Sequence, residues 1–95
     1  MNDVFDALAN PARREILRLL RDGPKSAGDL AAEFDLAKPT LSGHFAVLKA
    51  ANLVTSERRG TTILYRLNMT VLDEALAALM DIAGAVRGKT KGMRK

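Results

Sequence analysis

Cysteine is absent from this 95-residue chain, and so is tryptophan. Without cysteine there is no disulfide framework and no thiolate metal site. Three Phe and one Tyr are the only aromatic residues, so the core must be built mostly from Leu, Ala, Val and Ile. A chain of this length buries only about 60–65% of its unfolded surface, which leaves a thin protomer core. Histidine occurs once, at His44, without a nearby carboxylate in sequence. No phosphate-cradling glycine loop, nucleophile elbow or paired-carboxylate spacing accompanies it, which argues against an enzyme. No apolar run approaches the length that spans a bilayer, so no membrane insertion is expected. Asp3 and Asp6 stand where a secretory leader would be basic and apolar, and the expected location is cytoplasmic. There is no internal repeat and no long linker.

What is present is positive charge, unevenly placed. The chain carries a formal net charge of +4, yet Arg87 to Lys95 alone hold five Lys/Arg and no acid. Residues 1–86 therefore hold 10 basic against 11 acidic groups. Within that body, residues 36–72 contain Lys38, Lys49, Arg58, Arg59 and Arg66 against Glu57 alone. Both flanks are net negative. The positive charge gathers on one segment, as phosphate contact requires.

That segment also has the most informative pattern. Ser26 can cap a helix, with Asp29 three residues later closing an acidic capping box. Leu30, Ala31 and Phe34 give that helix an inner stripe. Pro39 fits only the first turn of the next helix, where a missing N–H costs nothing. Leu41, Phe45 and Leu48 then repeat at i, i+4, i+7 and define a packed face. Lys38, Thr40, Ser42 and Gly43 lie off that stripe, and Asn52 tolerates the left-handed conformation that ends a helix. Leu53 to Glu57 and Thr62 to Leu67 are rich in β-branched residues and turn at Arg59-Gly60-Thr61.

Helix, turn, helix and then β-wing is an arrangement used to set one helix in a DNA major groove. The expected DNA-binding residues are Lys38, Pro39, Thr40, Ser42, Gly43, His44 and Lys49 on the second helix. Arg58, Arg59 and Thr61 join them from the wing. Tyr65 reads as a core or interface aromatic. Asn10 caps and Pro11 starts an earlier helix to Arg21, with Ile16, Leu17 and Leu20 inward and Gly23-Pro24 as its stop. Arg13 and Arg14 on it are placed to touch phosphates, though two Arg on a helix face usually read as solvated.

Asn10-Pro11-Ala12-Arg13-Arg14-Glu15-Ile16-Leu17 resembles the ADPTRRxIL opening of the ArsR/SmtB winged-helix repressors. Lys38 to Ser42 is similar to their recognition-helix start, Leu48 to Val54 to their VLxxAGLV, and Gly60 to Asn68 to their wing return. The resemblance spans residues 3 to 83 and is nearest the short, metal-independent branch. Two positions depart from the pattern: Ala37 stands for a capping Ser, and Gly43 for a common His. The resemblance implies a repressor dimerised through its terminal helices. The cysteines of the arsenic and cadmium sensors align with Ser26 and Gly28, and the last helix has no His for zinc. No metal or other cofactor is therefore expected.

The expected fold is mainly α with a small β-hairpin, an α+β winged helix-turn-helix in the order ααααββα. Residues 1–86 would form one DNA-binding and dimerisation domain, and 87–95 a basic, disordered tail. Thr70 with Asp73 suggests a cap for a last helix from Val71 to about Val86. Leu72, Leu76, Leu79 and Ala83 make one apolar face of it, widened by Val71, Ala75 and Ile82. A helix apolar nearly all round must be covered on more than one side. Val4, Phe5 and Leu8 offer a matching stripe, so a two-fold homodimer through these residues is expected. Such a dimer would bind an inverted-repeat operator in double-stranded DNA. The competing class is a winged-helix interaction module holding protein, or a regulator switched by a protein partner or small ligand.

Overall fold

In the computed structural model, which describes residues 1–84, five helices carry a three-stranded antiparallel sheet. The expected tail at 87–95 and the end of the last helix near Val86 lie outside the described residues. The elements are α1 (Asn2–Leu8), α2 (Pro11–Leu20), β1 (Lys25–Ser26), α3 (Ala27–Ala31) and α4 (Lys38–Ala50), followed by β2 (Val54–Arg59), β3 (Thr62–Leu67) and α5 (Met69–Ala83). The winged helix-turn-helix order is as the sequence indicates, with one addition. Lys25 and Ser26 form a short strand against Tyr65 and Leu64, so the sheet runs β1-β3-β2.

Local chemistry sets most of the boundaries. The Asn10 side chain accepts from the backbone N–H groups of Ala12 and Arg13 at 2.8 and 3.1 Å, with Pro11 following as first helical residue. Asn10→Ala should cost about 1 kcal/mol of stability, read as a lower urea midpoint with an unchanged slope. Ser26 Oγ accepts from the Asp29 N–H at 3.0 Å. No return bond from the Asp29 side chain closes the box among the described residues. Asn52 has φ 62°, and the Asn52 and Leu53 N–H groups donate to the Lys49 and Leu48 carbonyls at 3.0 Å each. That pair of bonds is the Schellman termination, completed by a left-handed residue. Gly60, at φ 63°, takes the first position of a two-residue hairpin turn between the paired Arg59 and Thr62, where a positive φ is needed.

The start of α5 differs from expectation. Asn68, not Thr70, is its N-cap, with no side-chain bond, and Thr70 lies inside the first turn. The Asn68 N–H donates to the Leu53 carbonyl at 2.9 Å, and its own carbonyl accepts from Leu72 at 3.3 Å. Closure of the wing base thus starts the helix two residues early.

The core sits where α2, α3, α4 and β2 meet. Ile16, Leu20, Leu30, Leu48, Leu53 and Val54 are almost fully buried there. Val4 and Ala7 close it from α1, and Ala75 from α5. Among the described residues no polar or charged side chain is buried. Val4, expected to face a partner, keeps only 6% of its surface, because α1 turns it into the protomer core. Phe5, Leu8 and Leu72 are half-buried, whereas Leu76, Leu79, Met80, Ile82 and Ala83 are exposed.

Candidate nucleic-acid interface

Helix α4 has two faces of opposite character. Leu41, Phe45 and Leu48 are buried, while Lys38, Pro39, Thr40, Ser42, Gly43 and Lys49 are exposed. Ala37 is the N-cap and makes no side-chain bond, so among the described residues no side chain caps the first-turn N–H groups. Those groups and the helix dipole favour an anion at this end. Gly43 is surrounded by open space: a Cβ there would meet nothing within 4 Å. Glycine inside a helix is about 0.5–1 kcal/mol worse than alanine. Nothing within the protomer requires that sacrifice.

The wing is fixed to α4 through aromatic rings. Phe45 and Tyr65 have centroids 4.7 Å apart at an interplanar angle of 34°. Partial burial pushes the Tyr65 hydroxyl pKa up, so the phenol is neutral across the physiological range. Tyr65 is therefore a packing residue of the wing root, as its alternation in the strand suggested.

The register separates Arg58 from Arg59. Arg58 pairs across the strands with Ile63, and Ser56 with Tyr65, so Arg58 shares the sheet face that carries Tyr65. Arg59 lies on the opposite face with Glu57 and Arg66. Its Nε donates to Glu57 Oε2 at 3.0 Å, and Arg66 Nη2 lies 3.7 Å from Glu57 Oε1. The Arg59 hydrogen bond and charge hold the Glu57 carboxyl below its ordinary range, with a smaller contribution from Arg66. All three side chains are about half exposed, so the cluster is weak as a stabilising force. Arg58 has no ion pair among the described residues. Thr61 is exposed in the turn.

His44 is placed differently from its neighbours on α4. It is half-buried, with Nδ1 3.3 Å from Arg13 Nη1. A guanidinium only donates, so in this contact Nδ1 is the acceptor. Arg13 is not the solvated side chain the sequence suggested. Its Nε donates to the Ala7 carbonyl at 2.8 Å, and its Nη2 to the Asp6 carbonyl at 3.0 Å. Arg14 Nη1 donates to the Leu8 carbonyl at 2.8 Å. The two arginines thus cover the last carbonyls of α1 and lock it to α2, and Arg13 reaches α4 as well. The available signal was basic charge shortly after a helix end, which favours its carbonyls.

Among the described residues no group of three or more His, Cys, Asp or Glu is placed to hold a metal. None of the described helices is long and apolar enough to cross a membrane.

An amphipathic α4 with a polar outer face, a basic hairpin packed on it and the apolar core beneath them define a winged helix-turn-helix protein. Residues 10–56 match the family described as bacterial regulatory protein, arsR family. The chain is 45% identical over 81 residues to the transcriptional repressor SdpR of Bacillus subtilis (strain 168), covering 85% of this chain and 90% of that protein. It is 38% identical to the arsenical resistance operon repressor of Staphylococcus xylosus, over 77% of this chain and 70% of that one. The solved structure of an ArsR-like transcriptional regulator from Rhodococcus sp. RHA1 superposes with a TM-score of 0.76 at 28% identity, covering 98% of this chain and 88% of that one. The chain belongs to the arsR family of regulatory proteins. It is a DNA-binding transcriptional regulator, not an enzyme.

Proposed function

We propose that this protein represses transcription as a homodimer bound to an inverted-repeat operator, without a metal cofactor. The observation that carries the reading is the outward face of α4: Lys38, Thr40 and Ser42 exposed around Gly43, whose missing side chain serves no packing purpose inside the protomer. A bare position on a polar helix lets another surface approach closely, and here that surface is the major groove. Lys38, Lys49, Arg58, Arg59 and Thr61 supply phosphate contacts. Thr40 and Ser42 face base edges, Pro39 fixes the first turn, and His44 offers Nε2. Phe5, Leu76, Leu79 and Ala83 form the two-fold interface, which Leu8 and Leu72, both half-buried in the protomer, flank without entering. Val4 contributes by supporting α1 from beneath.

Selection from a random duplex pool tests the assembly and the site together. The enriched sequence should be an inverted repeat with half-site centres about 10 base pairs, or a multiple of that, apart. Enrichment of an unpaired half-site, or none, would refute the dimeric arrangement. Ser42→Ala should change preference at one base position by about 1 kcal/mol and leave the salt slope unaltered, because a hydroxyl reads a base edge without neutralising charge. Competition anisotropy with operators varied one position at a time measures both quantities. Stoichiometric zinc, or a chelator, should change operator affinity by less than about 0.5 kcal/mol, since an effector acts only through unequal affinity for two states. A tenfold zinc effect in the same titration would require a metal site.

A further inference from the structure

Arg14, Arg18 and Arg21 stand at i, i+4 and i+7 along the side of α2 that also carries Leu17. None of them belongs to the reading helix or the wing. Together they edge a cavity of about 280 Å³ whose deeper walls are Leu8, Leu17, Leu67 and Leu72, with the flexible Met69 at its mouth. Past Arg21, Leu67 and Met69 a second cavity of about 230 Å³ continues toward Pro24 and Arg66. No acidic residue lines either space. Arg14 spends one donor on the Leu8 carbonyl, and Arg18 pairs with Glu15. Arg21 has no side-chain hydrogen bond or ion pair among the described residues.

We infer that this groove is a binding site for a small amphipathic carboxylate, its apolar chain between Leu17, Leu67 and Leu72 and its head group on Arg21 and Arg14. Arginine presents a planar fork of donors that matches a carboxylate, and Arg14 retains unused N–H groups. A neutral apolar ligand would desolvate these cations without compensating them. Occupation by the chain's own residues 87–95 is disfavoured, since they carry five Lys/Arg and no acid. A second protomer is better accommodated further along α5, where Leu76, Leu79 and Ile82 are exposed. DNA is also poorly placed to use the groove. Leu67 pairs with Val54 at the root of the wing, five residues and roughly 17 Å from the Arg59–Thr62 pair at the tip. The site lies where the end of α1, the root of the wing and the start of α5 meet, apart from the reading surface. The inference does not depend on the operator-binding proposal.

Titration of the ¹⁵N-labelled full chain with sodium octanoate, followed by amide NMR shifts, tests it. Octanol and octyltrimethylammonium serve as matched neutral and cationic probes. Octanoate should saturate at one per protomer, with shifts centred on Leu8, Leu17, Leu67, Met69 and Leu72. Both matched probes should bind at least about tenfold more weakly, because only the anion meets the arginines. Arg21→Gln, at an exposed position, should lower octanoate affinity about fivefold while leaving the melting temperature unchanged. Failure to saturate, shifts centred on Leu76 to Ile82, equal binding of the cation, or an unaffected Arg21→Gln variant would each overturn the site. So would Leu67 and Met69 resonances that respond to protein dilution but not to octanoate, since a second copy would then fill the groove. Operator retention by the same preparation without octanoate reports separately on the proposed function.

Discussion

Leu76→Glu is expected to turn a micromolar dimer into a folded monomer. In the protomer Leu76 is 54% exposed, Leu79 47% and Ile82 78%, so α5 presents an apolar strip that the other described residues leave uncovered. A contiguous strip of this kind marks an interaction surface. Glutamate at position 76 is harmless to an isolated protomer, because its carboxylate would be in water. In a two-fold interface the same carboxylate is desolvated twice, at about 3 kcal/mol each when no partner charge is present. About 6 kcal/mol weakens association by roughly 10⁴-fold. Sedimentation velocity should show the monomer, with the circular dichroism spectrum and thermal transition of a folded chain. Operator affinity should fall by about two orders of magnitude or more, since the second half-site is no longer tethered to the first. Ala75→Glu is the contrasting control: Ala75 is 1% exposed, so the substitution should unfold the protomer itself. A Leu76→Glu variant that sediments as a dimer, or a wild-type protein that is monomeric at micromolar concentration, would refute the interface.

The parts of this fold that were legible in the sequence are those decided within one turn of chain. Asn10 before Pro11, Ser26 three residues before Asp29, Asn52 after a helix and Gly60 in a hairpin each meet a backbone requirement that neighbouring residues create. The Leu41-Phe45-Leu48 stripe was legible for the same reason. What escaped depends on residues far apart in sequence. β1 is two residues long and exists because Lys25 and Ser26 pair with Tyr65 and Leu64, so it has no periodicity to detect. The Asn68 N–H is fixed by the Leu53 carbonyl across the wing root, and a local Thr70-x-x-Asp73 match could not reveal that. Arg13 looked like a solvated charge because its partners, Asp6, Ala7 and His44, lie on two other helices. The apolar character of Val4 was plain, but which side it faced was set by how α1 packs. Within the candidate interface, residue types were readable and their pairing was not: Arg58 and Arg59 are adjacent and chemically identical, yet only one is engaged by Glu57.

That difference yields the second large effect. Arg58→Ala should weaken binding to all duplexes alike, by about a hundredfold for the dimer, since each protomer loses a charged hydrogen bond of about 1.5 kcal/mol. The log–log salt slope should flatten by roughly 0.9 per contact, or about 1.8 for a dimer. Arg59→Ala should do less, because the Arg59 guanidinium already spends its charge on Glu57 at 3.0 Å. Glu57 is ionised throughout the neutral range, since its pKa is lowered further by Arg59. The pairing is therefore complete at neutral pH and is lost only as pH falls through that lowered value. Glu57→Ala removes the competing carboxylate without acid. It should free Arg59 and Arg66, tighten non-specific and specific binding together, and steepen the salt slope. Anisotropy titrations across a salt series, with operator and random duplexes, measure all three variants. If Arg59→Ala flattens the slope more than Arg58→Ala, the Glu57 pairing does not restrain Arg59 on DNA. If Arg58→Ala instead keeps the slope and changes sequence preference, the wing reads bases, and the division of labour between wing and α4 is the reverse of the one proposed.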